Sequence, residues 1–592
     1  MNLSHNWNKL MRHVDRRRAA SRATRYRDGL VRYTFHNHIL IFGGGMMVVE
    51  LVDALASRQE FAGRQLVITT QGDAGQMRRL LEERLAEAAS TMDITVYRGH
   101  RGSEAELRAS GIEQASHIFI VGEDDEDGHD ALNVDCWQKV MRLRQHSPHV
   151  AQCILYVDLD ATIQLIHKLP QEAHTSVETT LVSRQQLLVQ QLLMGDSPQG
   201  VSHTLDRGLI SPESDRYVHL VVVGMTSIGC TFATTAAQFC HFPNFDESSP
   251  HPLRTKITFV DPEAYRKMCR FKSLHPMLFS LSHSRYYSDE TSWLQGRPDS
   301  RYGDFMDVEW QFVKGTIDEE WVRALLVSCA EDPKQVLSVA FCSQNADENY
   351  VQSLHLPQQL YVSGASQGTT PPNIYVYQPS SGSLLRAAQT EVMQLGNLVP
   401  FGEWGRGCDP LMVRQTAVAK RVNYLRQKET SGKAFESMPT DAVLLDSLWQ
   451  QISLSEKMSN ICSATAVYTQ MRCLGLETAE GCAPLDDAEV LERFIRVEQA
   501  RWNMEKVLAG FGAQPADEHK ALNAALQSDN NEEREEARTM VNRNANLRHL
   551  LKDIAPYATL AESRQEEIRS LVRNLPLAAL PYIMEVKGEQ DK

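Results

Sequence analysis

The sequence predicts an α/β protein in which two tandem units built on parallel sheets are followed by an all-helical segment. Three observations carry that prediction. Residues 38 to 56, HILIFGGGMMVVELVDALA, read as a buried strand, a glycine turn and an apolar helix. The same scheme begins again at Tyr217, with YVHLVVVG. Alternating strands cease after about residue 380, and helical periodicity takes over. The expected organisation is a basic arm over 1–35, α/β units over 36–205 and 216–405, and a helical domain over 410–592.

In the first unit, Ile39, Leu40, Ile41 and Phe42 form the continuous apolar run of a strand covered on both faces. Gly43 and Gly45 fill the first two places of a G-x-G-x-x-G fingerprint, and Val48 stands at the third. Glycines there let a pyrophosphate approach the backbone and rest on the helix N-terminus, where N–H groups lack partners. The plain alternative is an α/β turn that needs glycine for geometry alone. Gln65 to Thr70 (QLVITT) is the second strand, but it ends in Thr69, Thr70 and Gln71 where a standard NAD site has an acid; Asp73 comes late. Ile94–Tyr97, His117–Val121 and Cys153–Asp158 supply the third, fourth and fifth strands, with Gly111 stopping a short helix between the third and fourth. The run Glu123, Asp124, Asp125, Glu126, Asp127 offers carboxylate oxygens of the kind calcium prefers, without the alternating spacing of an EF-hand. A solvated acidic loop is the expected reading.

This order and wording resemble the TrkA-N or RCK domain, the nucleotide-binding regulator of bacterial potassium transport. Gly99 fits its third-strand loop, His100 replaces the usual Asp, and Gly111, Ile112 and Asn133 fall in step. The resemblance implies NAD(H) or another adenine nucleotide as ligand.

The second unit repeats the scheme with a different set of losses. Gly224 and Gly229 match the first and third glycines, while Thr226 holds the middle place. Lys256–Val260 is its second strand and ends in Asp261, the acid that holds ribose hydroxyls in dinucleotide-binding folds. Gln311–Gly315, Val336–Phe341 and Asn373–Tyr377 fit its later strands, so an internal duplication of a Rossmann-like unit is expected. Residues 264 to 305 carry Arg266, Lys267, Arg270, Lys272, His275, His283 and Arg285 among aromatics, read as a surface excursion with an anion pocket as the alternative.

In the helical third, residues 416–427, 442–459, 487–508 and 565–574 are the clearest helices, and 529–538 is a solvated helix or a linker. The stretch 490–511 resembles the RyR domain, the helical repeat first named in ryanodine receptors. Glu498, Arg501 and Trp502 match its hallmark, Gln499 replaces a His, and Gly510-Phe511 supplies the stop; Leu550–Leu560 and Asn574-Leu575-Pro576 follow in step. Glu498, Arg501 and Trp502 share one helix face, which would offer a carboxylate, a guanidinium and an indole to a nucleotide-like anion. The alternative is a core tryptophan beside a local ion pair.

The composition bounds the function. The 592 residues suit roughly three or four domains, and the net charge of −14 argues against nucleic acid as a partner. No apolar run is long enough to span a membrane and no signal-peptide core is present, which predicts a cytoplasmic chain. The 11 cysteines lie scattered without a CxxC pair, as reduced thiols do. The first 32 residues form a local exception. Lys9, Arg12, Arg16, Arg17, Arg18, Arg22, Arg25, Arg27 and Arg32 face only Asp15 and Asp28, so this arm would suit an anionic membrane surface or an acidic partner; the bland reading is a solvated helix. An oxidoreductase would need a recognisable acid–base set, and none appears, so no catalytic or metal-binding residue is assigned. The reading preferred is a ligand-sensing regulator linked to potassium transport or channel gating and expected to be a homo-oligomer; the sequence starts too late to contain a pore, so either a separate membrane subunit exists or a pore was lost or never present. A soluble nucleotide sensor in stress or defence signalling, read out through the RyR-like region, is the alternative, and a dehydrogenase comes last.

Overall fold

Apolar runs separated by glycine turns and amphipathic helices leave a chain one compact way to bury both faces of its strands, a parallel sheet with helices on either side. The computed structural model describes residues 35–61, 63–85, 92–124, 129–168, 176–194, 203–362, 371–379, 397–403, 408–430, 437–439, 441–476 and 481–590. The basic arm up to residue 34 and residues 125–127 of the acidic run lie outside them. Packing divides the chain into two units. One falls within Met1–Arg184, Trp404–Pro410 and Gln450–Ser455, the other within Gln185–Glu403, Leu411–Trp449 and Glu456–Lys592.

The first unit alternates β1 (Ile39–Gly43), α1 (Met46–Ser57), β2 (Gln65–Thr70), α2 (Ala74–Arg84), β3 (Asp93–Arg98), α3 (Glu104–Ala109), β4 (His117–Gly122), α4 (His129–Leu143), β5 (Ala151–Tyr156), α5 (Asp160–Lys168) and β6 (Val177–Val182). Among the described residues its sheet has six parallel strands in the order β3-β2-β1-β4-β5-β6. This is the doubly wound Rossmann-like order, whose direction reverses between β1 and β4 and opens a crevice there. Every residue of β1 is buried, as its unbroken apolar run requires.

After α6 (Arg184–Leu193) the second unit runs β7 (Tyr217–Val223), α7 (Ser227–Phe239), β8 (Thr255–Asp261), α8 (Ala264–Leu274), α9 (Pro276–Leu281), β9 (Ser284–Tyr287), β10 (Trp293–Gly296), β11 (Val308–Lys314), α10 (Glu320–Glu331), β12 (Gln335–Phe341), α11 (Ala346–Leu354), α12 (Gln359–Val362), β13 (Asn373–Tyr377) and β14 (Leu398–Phe401). Its sheet order is β10-β9-β11-β8-β7-β12-β13-β14. From β11 to β14 this repeats the first sheet strand for strand, and the duplication read from the glycine turns holds at the level of topology. The addition is β9–β10, an antiparallel hairpin laid beside β11 at the sheet's edge. It occupies the middle of the excursion expected over 264–305, whose first half forms α8 and α9.

The helical third contributes α13 (Cys408–Thr430), α14 (Ala442–Gln450), α15 (Leu454–Cys473), α16 (Ala488–Leu508), α17 (Ala516–Leu526), α18 (Asn531–Arg548) and α19 (Glu562–Gln590). The single helix expected over 442–459 is two, broken between Gln450 and Leu454. Asp487 starts α16 by accepting the N–H groups of Glu489 (2.9 Å) and Val490 (3.0 Å). All but the first residue of the polar run 529–538 falls in α18 and its cap, a solvated helix. Two of these helices, α15 and α16, share a core with the second sheet. Met504, Val507 and Leu508 of α16 and Ala466 of α15 belong to one buried cluster with Val218 and Val222 of β7, Phe232 of α7 and Trp310 of β11.

Candidate functional site

The loop between β1 and α1 is shaped by close approach. A Cβ on Gly43 would stand 2.3 Å from the carbonyl oxygen of Gly122, at the end of β4, so only glycine fits. Gly45 caps α1 with φ at +90°, a conformation side chains resist. The N–H of Gly44 donates to the Gly122 carbonyl (3.1 Å). The N–H of Met46, at the head of α1, donates to the carboxylate of Asp124 (2.6 Å).

Glu123 does the equivalent at the end of β2. Its carboxylate accepts the Gln71 N–H (2.8 Å) and the Thr70 hydroxyl (3.0 Å). At the end of β3, Gly99 donates to the Thr70 carbonyl (2.9 Å), and the Glu106 carboxylate accepts the His100 N–H. The loops after β1, β2 and β3 thus each present a backbone N–H to an anionic oxygen, and the chain supplies all three oxygens. The expectation of a merely solvated acidic loop fails for Glu123 and Asp124, because the N–H groups at these loop and helix starts are better partners than water. Asp73, which comes too late for the ribose position, caps α2 instead, accepting the Gln76 N–H (2.8 Å).

Beside this loop lies a cleft of about 690 Å³ at the ends of β4 and β5, lined by Met47, Asp124, His129, Asp130, Asp158 and Arg184 among others. Asp130 pins its floor, accepting the N–H groups of Asp158 (3.0 Å) and Leu159 (2.9 Å). Burial opposes a charge on His129, but the Asp130 carboxylate and the Val121 carbonyl outweigh it and raise the pKa. Burial raises the Asp158 carboxyl, against the pull of Arg184. Asn133, which the sequence placed in step, ties β4 to β5 by donating to the carbonyls of Val121 (3.1 Å) and Tyr156 (2.9 Å). Among the described residues no group of His, Cys, Asp and Glu is arranged to hold a metal ion.

The second glycine turn is closed differently. Gly224 has φ at +97°, and a Cβ on Gly229 would stand 2.1 Å from the Gly224 carbonyl oxygen. Thr226 caps α7, accepting the Gly229 N–H (3.2 Å) and donating to the Cys342 carbonyl (2.5 Å). Asp261 is only 2 % exposed. One of its oxygens accepts the Met225 N–H (2.8 Å) and the Lys267 ammonium (2.7 Å), and the other accepts the Glu263 N–H (2.9 Å). The acid at the ribose position is therefore turned onto its own glycine turn.

Glu498, Arg501 and Trp502 do not act as one face. Glu498 and Arg501 are buried against each other, Arg501 gripping Glu498 with two bonds (2.8 and 2.9 Å) and reaching Glu505 with a third (2.7 Å). Ser463 (3.1 Å) and Gln470 (3.3 Å) on α15 also donate to Glu498. Burial works against every charge here, yet the paired cations hold the carboxyls of Glu498 and Glu505 below their usual range. Trp502 is half-buried, its ring flanked by Lys506 (5.8 Å) and Arg564 (5.9 Å). Gln499, where the resembling repeat has His, donates to the carbonyls of Asp553 (3.0 Å) and Ala555 (3.1 Å) and so fastens α16 to the segment before α19.

No protein-family model matches the chain, and no curated protein matches it. Solved structures do. GsuK bound to ADP is 14% identical, with 64% of this chain and 68% of that chain covered at a TM-score of 0.31. The GsuK channel bound to NAD is 14% identical over 64% of each chain, at 0.32. The GsuK RCK domain is 10% identical over 65% of this chain and 78% of its own, at 0.29.

Sequence reasoning located the glycine turns and Asp261 but missed Glu106, Glu123 and Asp124 as the groups that fill them. It also missed Glu505, whose place at i+4 from Arg501 was the available signal.

Proposed function

We propose that this chain is a ligand-sensing regulator of the RCK type whose first Rossmann-like unit takes an adenine nucleotide, ADP or NAD(H), at the Gly43–Met46 turn. The observation that carries the reading is the Asp124 carboxylate on the Met46 N–H (2.6 Å). A helix start that already clasps one anionic oxygen, beside a crevice of nucleotide size, is chemically fitted to a phosphate. The nucleotide binds by taking the place of Asp124, and Glu123 yields the Gln71 N–H in the same event. Binding and loop movement are then one step, which is what a sensor requires. The second unit serves as scaffold, because Asp261 is held by three partners. The regulator acts as a homo-oligomer on a separate membrane channel subunit or at an anionic membrane surface, through residues 1–35. Support for that link is the resemblance of the 36–205 stretch to RCK domains. Among the described residues, no helix is long and apolar enough to cross a membrane.

Titration of the full chain with ADP, NAD or NADH should raise its melting temperature, with about 2.7 kcal/mol of stabilisation at a hundredfold excess over Kd. Gly45→Trp should abolish the shift while circular dichroism stays unchanged. No shift with any of these, or with ATP, sinks the reading and leaves the unit a scaffold. Deleting residues 1–32 should separately abolish co-purification with a membrane subunit or salt-sensitive binding to anionic vesicles.

A further inference from the structure

We infer that the outer edge of β10 is where two copies of this chain join, their second sheets continuing into one another by antiparallel β10–β10 pairing about a twofold axis. The inference is independent of the nucleotide reading.

A free strand edge is a template for another strand, and proteins guard such edges with charge or proline. The other edges of the two large sheets follow that rule. β3 begins and ends with Asp93 and Arg98, β6 carries Glu178, and β14 carries Pro400. β10 reads Trp-Leu-Gln-Gly, with neither charge nor proline. Trp293 is 50% exposed and Leu294 65%, and Tyr265 on α8, edge-on to Tyr286 across the ladder from Leu294, is 54% exposed. These are large apolar groups at the rim of a sheet whose central strands are buried.

The backbone pattern fixes the register. The Ser288 N–H donates to the Ser292 carbonyl (2.9 Å), which makes 288–292 a hydrogen-bonded pair. By antiparallel alternation 286–294 is one too, so the N–H and C=O groups of Trp293 and Gln295 point away from β9. With the twofold axis between the two Leu294 residues, each Trp293 meets the other copy's Gln295 and all four outward groups on each strand are paired. The two Leu294 side chains then face each other in the close, non-hydrogen-bonded position. The charges agree with this register. Asp289 and Glu290 precede the strand and Arg297 follows it, all exposed, so antiparallel pairing brings the acidic turn of one copy to the basic end of the other.

The test uses the full chain with exposed Cys269 replaced by Ser. Under mild oxidation at micromolar concentration, Leu294→Cys should form a 294–294 disulfide, read on a non-reducing gel and by mass of the joined peptide. Trp293→Cys should not, because the two copies of residue 293 lie too far apart for the roughly 7 Å limit between bridged Cα atoms. Mixing Trp293→Cys with Gln295→Cys protein should restore the cross-link. Leu294→Arg should turn a dimer into a monomer in sedimentation, with unchanged circular dichroism. A monomer at the highest soluble concentration, a dimer that survives Leu294→Arg, or cross-linking at 293 equal to that at 294 would each overturn the proposal.

Discussion

The two glycine turns use the same chemistry to different ends. In each, a carboxylate accepts a backbone N–H of the turn: Asp124 that of Met46, at the head of α1, and Asp261 that of Met225, just ahead of the cap of α7. What differs is how easily the carboxylate can leave. Asp124 is exposed and sits on the loop after β4, with open solvent to receive it. Asp261 is buried at the end of β8 and is also held by the Glu263 N–H and the Lys267 ammonium. A carboxylate that can hydrate elsewhere is a displaceable occupant, whereas a buried one with three partners is part of the frame. The two units thus differ in whether the carboxylate on the turn is exposed or locked into the frame.

Asp261→Ala tests the difference between the two turns most severely. It strands the Lys267 ammonium and two N–H groups, and should destabilise the protein by roughly 3 kcal/mol in urea unfolding. Asp124→Ala should stay within about 1 kcal/mol. Similar losses for the two would erase the distinction.

A second effect should be common to both units. Burial holds the imidazoles of His38, just ahead of β1, and His219 in β7 down to about 4, against partial help from Ser110 and Gln335 respectively. Unfolded, each titrates near 6.5, so between 6.5 and 4 the unfolded chain binds more protons. Stability is therefore complete above 6.5 and falls with pH through that window, by about 1.4 kcal/mol per pH unit for each histidine once well inside it. His219→Gln should flatten the slope by one proton, and an unchanged slope would show that His219 is charged in the fold.

The smallest effect is the most telling about ligands. Asp124→Asn removes the competing charge at the head of α1 and should tighten ADP or NAD binding about two- to fivefold, the size of a carboxylate's effect at a helix start. Asp261→Asn should leave that affinity alone. Weaker binding in Asp124→Asn would mean that the carboxylate serves the ligand instead of competing with it.

Much of the fold was legible because it rests on local pattern. The runs at 65–70, 217–223 and 373–377 became strands with the expected bounds, since a continuous apolar stretch between turns has few other fates. The hairpin at 284–296 was missed because its exposed residues lack the alternation that a half-buried ladder imposes. The site was legible in its glycines and opaque in its carboxylates. Asp124 meets Met46 across 78 positions and Glu123 meets Gln71 across 52, distances at which sequence shows that charges exist but not what they touch. Likewise the spacing of Glu498 and Arg501 announced a pair, while its burial depends on Ser463 and Gln470 of another helix.

The core that α16 shares with the second sheet has a mechanical meaning. With Met504, Val507 and Leu508 in the same buried cluster as Phe232 and Trp310, α16 and the second sheet are expected to unfold as one cooperative body. Loosening the packing at Met504 or Val507 should therefore lower amide protection in β7 and α7 together with that of α16.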